Sequence, residues 1–179
     1  GDNTAIGWAP SFSITTDGNN VFLNWDADGA KIVQWGLIDG FGVFDTDGDW
    51  KNGDTNYKWY DGVNGITNAG HVWNSTPGAV DSAIFGSDSA VDEGVGDQYI
   101  IVDDSNGAVA VQDITFENNN PHYHIGGDQL TIHGNVRAKI SSYFDNDVVL
   151  TGDKTFEIGK DADGSDATVQ FSGAVTGDA

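Results

Sequence analysis

Apolar residues along this chain come in short alternating runs. Residues 21–23, 31–35, 99–102, 108–116, 129–133, 147–150, 155–158 and 167–171 each carry such a run, bounded by Gly, Asn or Asp. Alternation between turn-forming residues predicts β-strands. No Gly-free stretch of about 11 residues carries apolar positions at i, i+3, i+4 and i+7, the spacing of an amphipathic helix. The pattern predicts an all-β chain.

Two spacings predict that the strands stack as a solenoid. Trp25, Trp35, Trp50, Trp59 and Trp73 are separated by 10, 15, 9 and 14 residues, so that every second one falls 23–25 residues further on. A period of this size marks an array whose turns cover one another's apolar faces. Further along, residues 130–134, 148–152 and 169–173 share the form apolar-x-apolar-polar-Gly, with Gly134, Gly152 and Gly173 lying 18 and 21 residues apart. The two apolar side chains of each would face inward, and the glycine would turn the corner. A β-sandwich is the alternative, with hairpins at Asp17-Gly18, Asp28-Gly29, Asp47-Gly48 and Asp163-Gly164.

Composition narrows the function. The 179 residues hold 28 acids, 25 of them Asp, against seven bases, for a formal charge of −21. Nucleic acid and anionic membrane surfaces need a basic face, so neither is an expected partner. With no Cys, disulfides, thiolate metal sites and a cysteine nucleophile are excluded. No stretch approaches the roughly 18 apolar residues of a membrane span, so direct membrane insertion is not expected. The lack of an initiator Met leads us to expect a mature or excised piece of a longer parent. Residues 1–85 form a Trp-rich section with Asp-Gly turns, and residues 86–179 a section without Trp, richer in Val, Ile and Thr. Residues 86–96 read as a loop and not a hinge.

The run Asp47-Gly48-Asp49-Trp50, then Trp59, residues 73–78 (WNSTPG) and residues 81–85 (DSAIF) resemble a block found in bacterial autotransporter passengers. Residues 109–116 (VAVQDITF), 123–134 (YHIGGDQLTIHG) and 150–177 are similar to that family's strand repeats. The resemblance covers residues 44–177 and rests on structural residues. It implies a right-handed parallel β-helix, secretion across an outer membrane, and a place outside the cell or on the bacterial cell surface. The family's membrane barrel has no counterpart among these residues, and their acidity is extreme for it.

Candidate chemistry is sparse. Asp45, Asp47 and Asp49 alternate as in the opening of a calcium loop, which makes calcium the one cofactor to consider. Trp50 and Asn56 stand where an EF-hand needs Gly and Glu, so that reading fails, and solvated Asp-Gly turns are the simpler one. Residues 161–166 form a second acidic cluster without a closing Glu. His122 and His124 flank Tyr123 as a two-histidine metal arm might, with His71 or His133 as a third ligand; exposed strand positions are the simpler reading. Tyr57, Trp59 and Tyr60 would make a sugar-stacking platform if exposed. If buried, the tryptophans fill a core, which their spacing favours. A β-helix lyase would need bases to hold uronates, and Arg137 is the only Arg.

No catalytic residue is assigned. The expected function is a non-catalytic adhesive or structural segment that engages a host or neighbouring-cell surface, a glycan, or copies of itself. The alternatives are a glycan-active β-helix enzyme, a carbohydrate-binding module and a fibre-forming subunit.

Overall fold

The computed structural model describes residues 12–17, 20–25, 30–39, 42–44, 47–53, 59–60, 71–86, 96–117, 122–160 and 164–178. Every regular element among them is a strand. An antiparallel pair comes first, β1 (Phe12–Asp17) with β2 (Asn20–Trp25). The first coil follows, with β3 (Ile32–Trp35), a small antiparallel pair of β4 (Leu37–Asp39) and β5 (Gly42–Phe44), β6 (Gly48–Lys51) and β7 (Trp59–Tyr60).

Four regular coils then stack on it. They are β8 (Ser82–Phe85), β9 (Gln98–Asp103) and β10 (Val109–Val111); β11 (Ile114–Phe116), β12 (Tyr123–Gly127) and β13 (Leu130–Ile132); β14 (Val136–Ala138), β15 (Ser142–Phe144) and β16 (Val148–Thr151); and β17 (Phe156–Ile158), β18 (Val169–Phe171) and β19 (Val175–Asp178).

Successive coils contribute to three sheets. The first runs β7-β3-β8-β11-β14-β17, the second β6-β9-β12-β15-β18 and the third β10-β13-β16-β19. Every pairing in them is parallel except β3 with β7. The fold is a right-handed parallel β-helix, and the sandwich alternative falls. Asp47-Gly48 is no hairpin turn, since Gly48 opens a strand that runs parallel to β9. β8, at the end of the Trp-rich section, pairs with β3 on one side and β11 on the other.

Alternation explains the core. In the first sheet Ala83, Ile114 and Val136 form one inward column and Phe85, Phe116 and Ala138 the next, all buried. Ile100, Ile125 and Phe144 do the same in the second sheet, and Val109, Leu130 and Val148 in the third. Phe85 stacks on Phe116 with ring centroids 5.3 Å apart, and Phe144 on Phe171 at 4.9 Å. Ring pairs of this kind contribute about 0.5–1.5 kcal/mol each beyond burial.

Polar residues at the corners join the coils. Ser82 Oγ accepts the Asp113 N–H of the next coil at 3.3 Å, Asp113 Oδ1 accepts that of Asn135 at 2.6 Å, and Asn135 Oδ1 accepts that of Thr155 at 3.0 Å. At other corners Asp47 reaches Tyr99 N at 2.7 Å, Ser141 reaches Thr168 N at 3.2 Å and Asp147 reaches Ala174 N at 2.8 Å. Bases act in the same direction: Lys51–Asp103, Lys139–Glu117 and Arg137–Glu157 are ion pairs between register partners or their immediate neighbours.

The tryptophan spacing does not measure the coil. Register partners lie 18 residues apart at Leu130 and Val148 but 52 apart at Gly48 and Ile100. Trp35, Trp50, Trp59 and Trp73 instead gather at one end of the core, where Trp59 meets each of the other three and Trp50 meets Trp73 with centroids 4.5–5.2 Å apart, and Trp59 stands opposite Trp35. They fill the end that β7 covers. Trp25 lies in β2. The glycine repeat is half correct. Gly134 and Gly152 are equivalent, two residues beyond the partners Ile132 and Leu150. Gly173 follows β18 in the second sheet, where its counterpart is Asn146.

Candidate functional site

The outward side of the second sheet carries the most chemically varied cluster among the described residues. Parallel register puts Tyr99, His124 and Tyr143 in one column. The His124 ring stacks on Tyr99 at 4.8 Å and on Tyr143 at 4.5 Å, with interplanar angles of 20° and 15°. Both faces of the imidazole are therefore covered, and its edge with the two nitrogens is what remains to interact. Nδ1 lies 3.0 Å from Asp145 Oδ2, and Nε2 lies 3.7 Å from Asp97 Oδ2. His122 Nδ1 lies 3.5 Å from Asp97 Oδ1. Tyr99, 50% exposed, and Ile101, 43% exposed, add an apolar margin.

The positions singled out from sequence scatter. Tyr57 and Asp45 lie outside the described residues. Trp59 is 4% exposed and packed against Trp35, Trp50 and Trp73, so it offers no ring face to a sugar. Tyr60 is its neighbour in β7. Asp47 Oδ1 accepts the Tyr99 N–H, whereas Asp49 is exposed on β6, in register with Ile101. Among the described residues no group of three or more His, Asp or Glu side chains could hold a metal ion.

The remaining two histidines lie away from this cluster. His71 Nε2 is 2.5 Å from Asp81 Oδ2. The Asp81 carboxylate is fully buried and also accepts the N–H groups of Lys31 at 2.8 Å and Asn74 at 2.9 Å, tying the first coil to the second. His133 Nδ1 meets Thr151 Oγ1 at 2.9 Å in the third sheet. Burial lowers the His133 pKa, and the Lys154 charge lowers it further.

Tyr99, Tyr143, Asp97 and Asp145 were not singled out from the sequence. They stand 25 residues before His124, 19 after it, 25 before His122 and 21 after His124, and only the true coil lengths bring them together. A tryptophan spacing of 23–25 that did not follow the coils hid the shorter steps.

Comparison with protein-family models, curated proteins and solved structures gives no match. The architecture is that of a generic β-solenoid. No helix among the described residues is long and apolar enough to cross a membrane.

Proposed function

We propose that the chain is a non-catalytic adhesive or structural segment of a secreted or bacterial cell-surface protein, built in the manner of an autotransporter passenger. The observation that carries this reading is where the chain uses its polar chemistry. Asp47, Asp81, Asp113, Asn135, Ser141 and Asp147 direct side-chain oxygens to backbone N–H groups of neighbouring coils. These groups stiffen a rod, and a rod offers flat ladders of side chains from which many weak contacts add up. Its partner is a host or neighbouring-cell surface, a glycan, or a second copy.

Deletion of the segment from the parent protein is expected to reduce cell-to-cell or matrix adhesion while turnover of neutral and acidic polysaccharides stays undetectable. A catalytic rate abolished by one Asp substitution would overturn this reading.

For the 179-residue chain taken alone, one observation favours self-association. Inward-type residues of the last coil stay open to solvent, Phe156 at 38%, Ile158 at 44% and Val175 at 47%, on strands at the edges of their sheets. Unpaired edges with apolar side chains pair readily with other chains.

A further inference from the structure

We infer that the outward side of the second sheet docks a basic polypeptide, one Lys or Arg side chain of which lies in a notch at Gly126. The inference rests on the adhesive reading and narrows its partner to one chemistry.

The register makes the notch. Gly126 stands between Ile101 on the preceding coil and Asp145 on the following one, on the outward side. Coils lie about 4.7–4.9 Å apart, so a missing side chain opens a gap between its two outward neighbours. A Cβ on Gly126 would lie 3.9 Å from Ile101 Cδ1 and 4.0 Å from Asp145 Cβ. Apart from its chain neighbours it would meet no other heavy atom within 4 Å. The space accepts a row of methylenes at van der Waals distance, with a hydrocarbon wall on one side and a carboxylate on the other. Lys and Arg have that make-up, an apolar stem with a cationic tip.

The carboxylate is held in place for such a tip. Asp145 Oδ2 meets His124 Nδ1 at 3.0 Å, and the His124 ring is clamped between Tyr99 and Tyr143. An ionised carboxylate has about four acceptor positions, so the histidine contact leaves capacity for an ammonium or a guanidinium. Around the notch the exposed side chains of Tyr99 and Ile101 form an apolar centre. Asp97 precedes Tyr99 by two residues on the same coil, and Asp49 stands in register with Ile101. An apolar centre with a charged rim is the layout of a protein-docking patch.

Charge complementarity selects the occupant. A formal charge of −21 repels acidic glycans and further copies of the chain. Lys51, Arg137, Lys139 and Lys160 are already paired with acids, so a second copy has few bases to bring. A neutral glycan would need open ring faces, and both faces of His124 are covered within the stack.

The test is fluorescence anisotropy of a labelled nonapeptide of alternating lysine and valine. It is titrated with the 179-residue chain at pH 7.5 in 0.15 M sodium chloride, where charges more than about 8 Å apart are largely screened. Saturable one-to-one binding is expected. Acetylation of the lysines, which keeps the stems and removes the charge, should abolish it. Gly126→Leu fills the notch without touching a charge and should weaken binding at least about tenfold. Asp145→Asn should weaken it about threefold to fivefold, while Asp153→Asn, between β16 and β17, should leave it unchanged. Circular dichroism identifies any variant that fails to fold, and Gly126→Ala, whose methyl meets only the two contacts given above, keeps the test decisive if Gly126→Leu does not. Binding unmoved by filling the notch, or retained by the acetylated peptide, would overturn the inference. So would binding of a neutral glucan hexasaccharide that Gly126→Leu removes, or a dimer in sedimentation that Gly126→Leu dissolves, since each assigns the notch another occupant. Any of these results leaves the adhesive reading standing, because that reading fails only if adhesion survives deletion of the whole segment.

Discussion

Single atoms decide stability where coils meet. A Cβ on Gly173 would lie 2.1 Å from the Asn146 carbonyl oxygen, and one on Gly134 would lie 2.3 Å from that of Gln112. Backbone cannot yield there without opening the stack, so Gly173→Ala should destabilise the chain by about 1–3 kcal/mol, read from the denaturation midpoint. At His133 the sign is set by burial, which disfavours the charged ring. The folded value is below the unfolded one of about 6.5, so the unfolded chain binds the proton first and stability falls on acidification through that range. The fall in melting temperature between pH 7.5 and 5 should be smaller in His133→Gln. Asp103 behaves oppositely in origin: bonds from Ser105 and then Lys51 bring its pKa down to about 2. It supports the fold above the unfolded value of about 3.9 and loses that support as pH drops toward 2. Carboxyl NMR titration of Asp103 reads this directly.

Among elements, alternating runs were legible even where the strand is only three residues long, as at β13, β17 and β18, but β14 and β15 were not. The runs at 31–35, 99–102, 129–133 and 147–150 correspond to β3, β9, β13 and β16. The run at 108–116 reads as one strand but forms two, because the chain turns a corner at Gln112 and Asp113, where the aspartate binds the next coil. β14 and β15 bury only Val136 with Ala138 and Ser142 with Phe144, too little alternation to stand out. Their position comes from the coils on either side. The Ser82–Asp113–Asn135–Thr155 ladder was hidden for the same reason, since its members are 20–31 residues apart. Asn135→Ala removes an exposed bond to the Thr155 N–H, which water then partly replaces, and should cost about 0.5–1 kcal/mol, while Asn135→Asp, which keeps the oxygen, should retain most of the stability.

At the scale of the molecule, turn residues and strand periodicity pointed to a solenoid, but the tryptophans pointed to the wrong period. They answer to a different demand, the filling of the end covered by β7. The opposite end bears Ile158 and Val175. When the 179-residue chain is studied alone, self-association should begin there, with repulsion between highly acidic copies opposing it until salt screens them. Light scattering should therefore show association rising from 10 to 300 mM sodium chloride and falling in Ile158→Lys. Association insensitive to that substitution would place the contact elsewhere.

All of these expectations rest on the coils being stacked in the stated register, and a chain without cysteine allows that to be read covalently. Thr131, Val149 and Thr176 occupy one outward column of the third sheet. Neighbours in such a column are about 4.7–4.9 Å apart, within reach of a disulfide, and alternate members are not. Oxidation of Thr131→Cys/Val149→Cys should give an intramolecular disulfide, seen as faster migration on a non-reducing gel, whereas Thr131→Cys/Thr176→Cys should stay reduced. Cross-linking of the second pair and not the first would contradict the β-helix register.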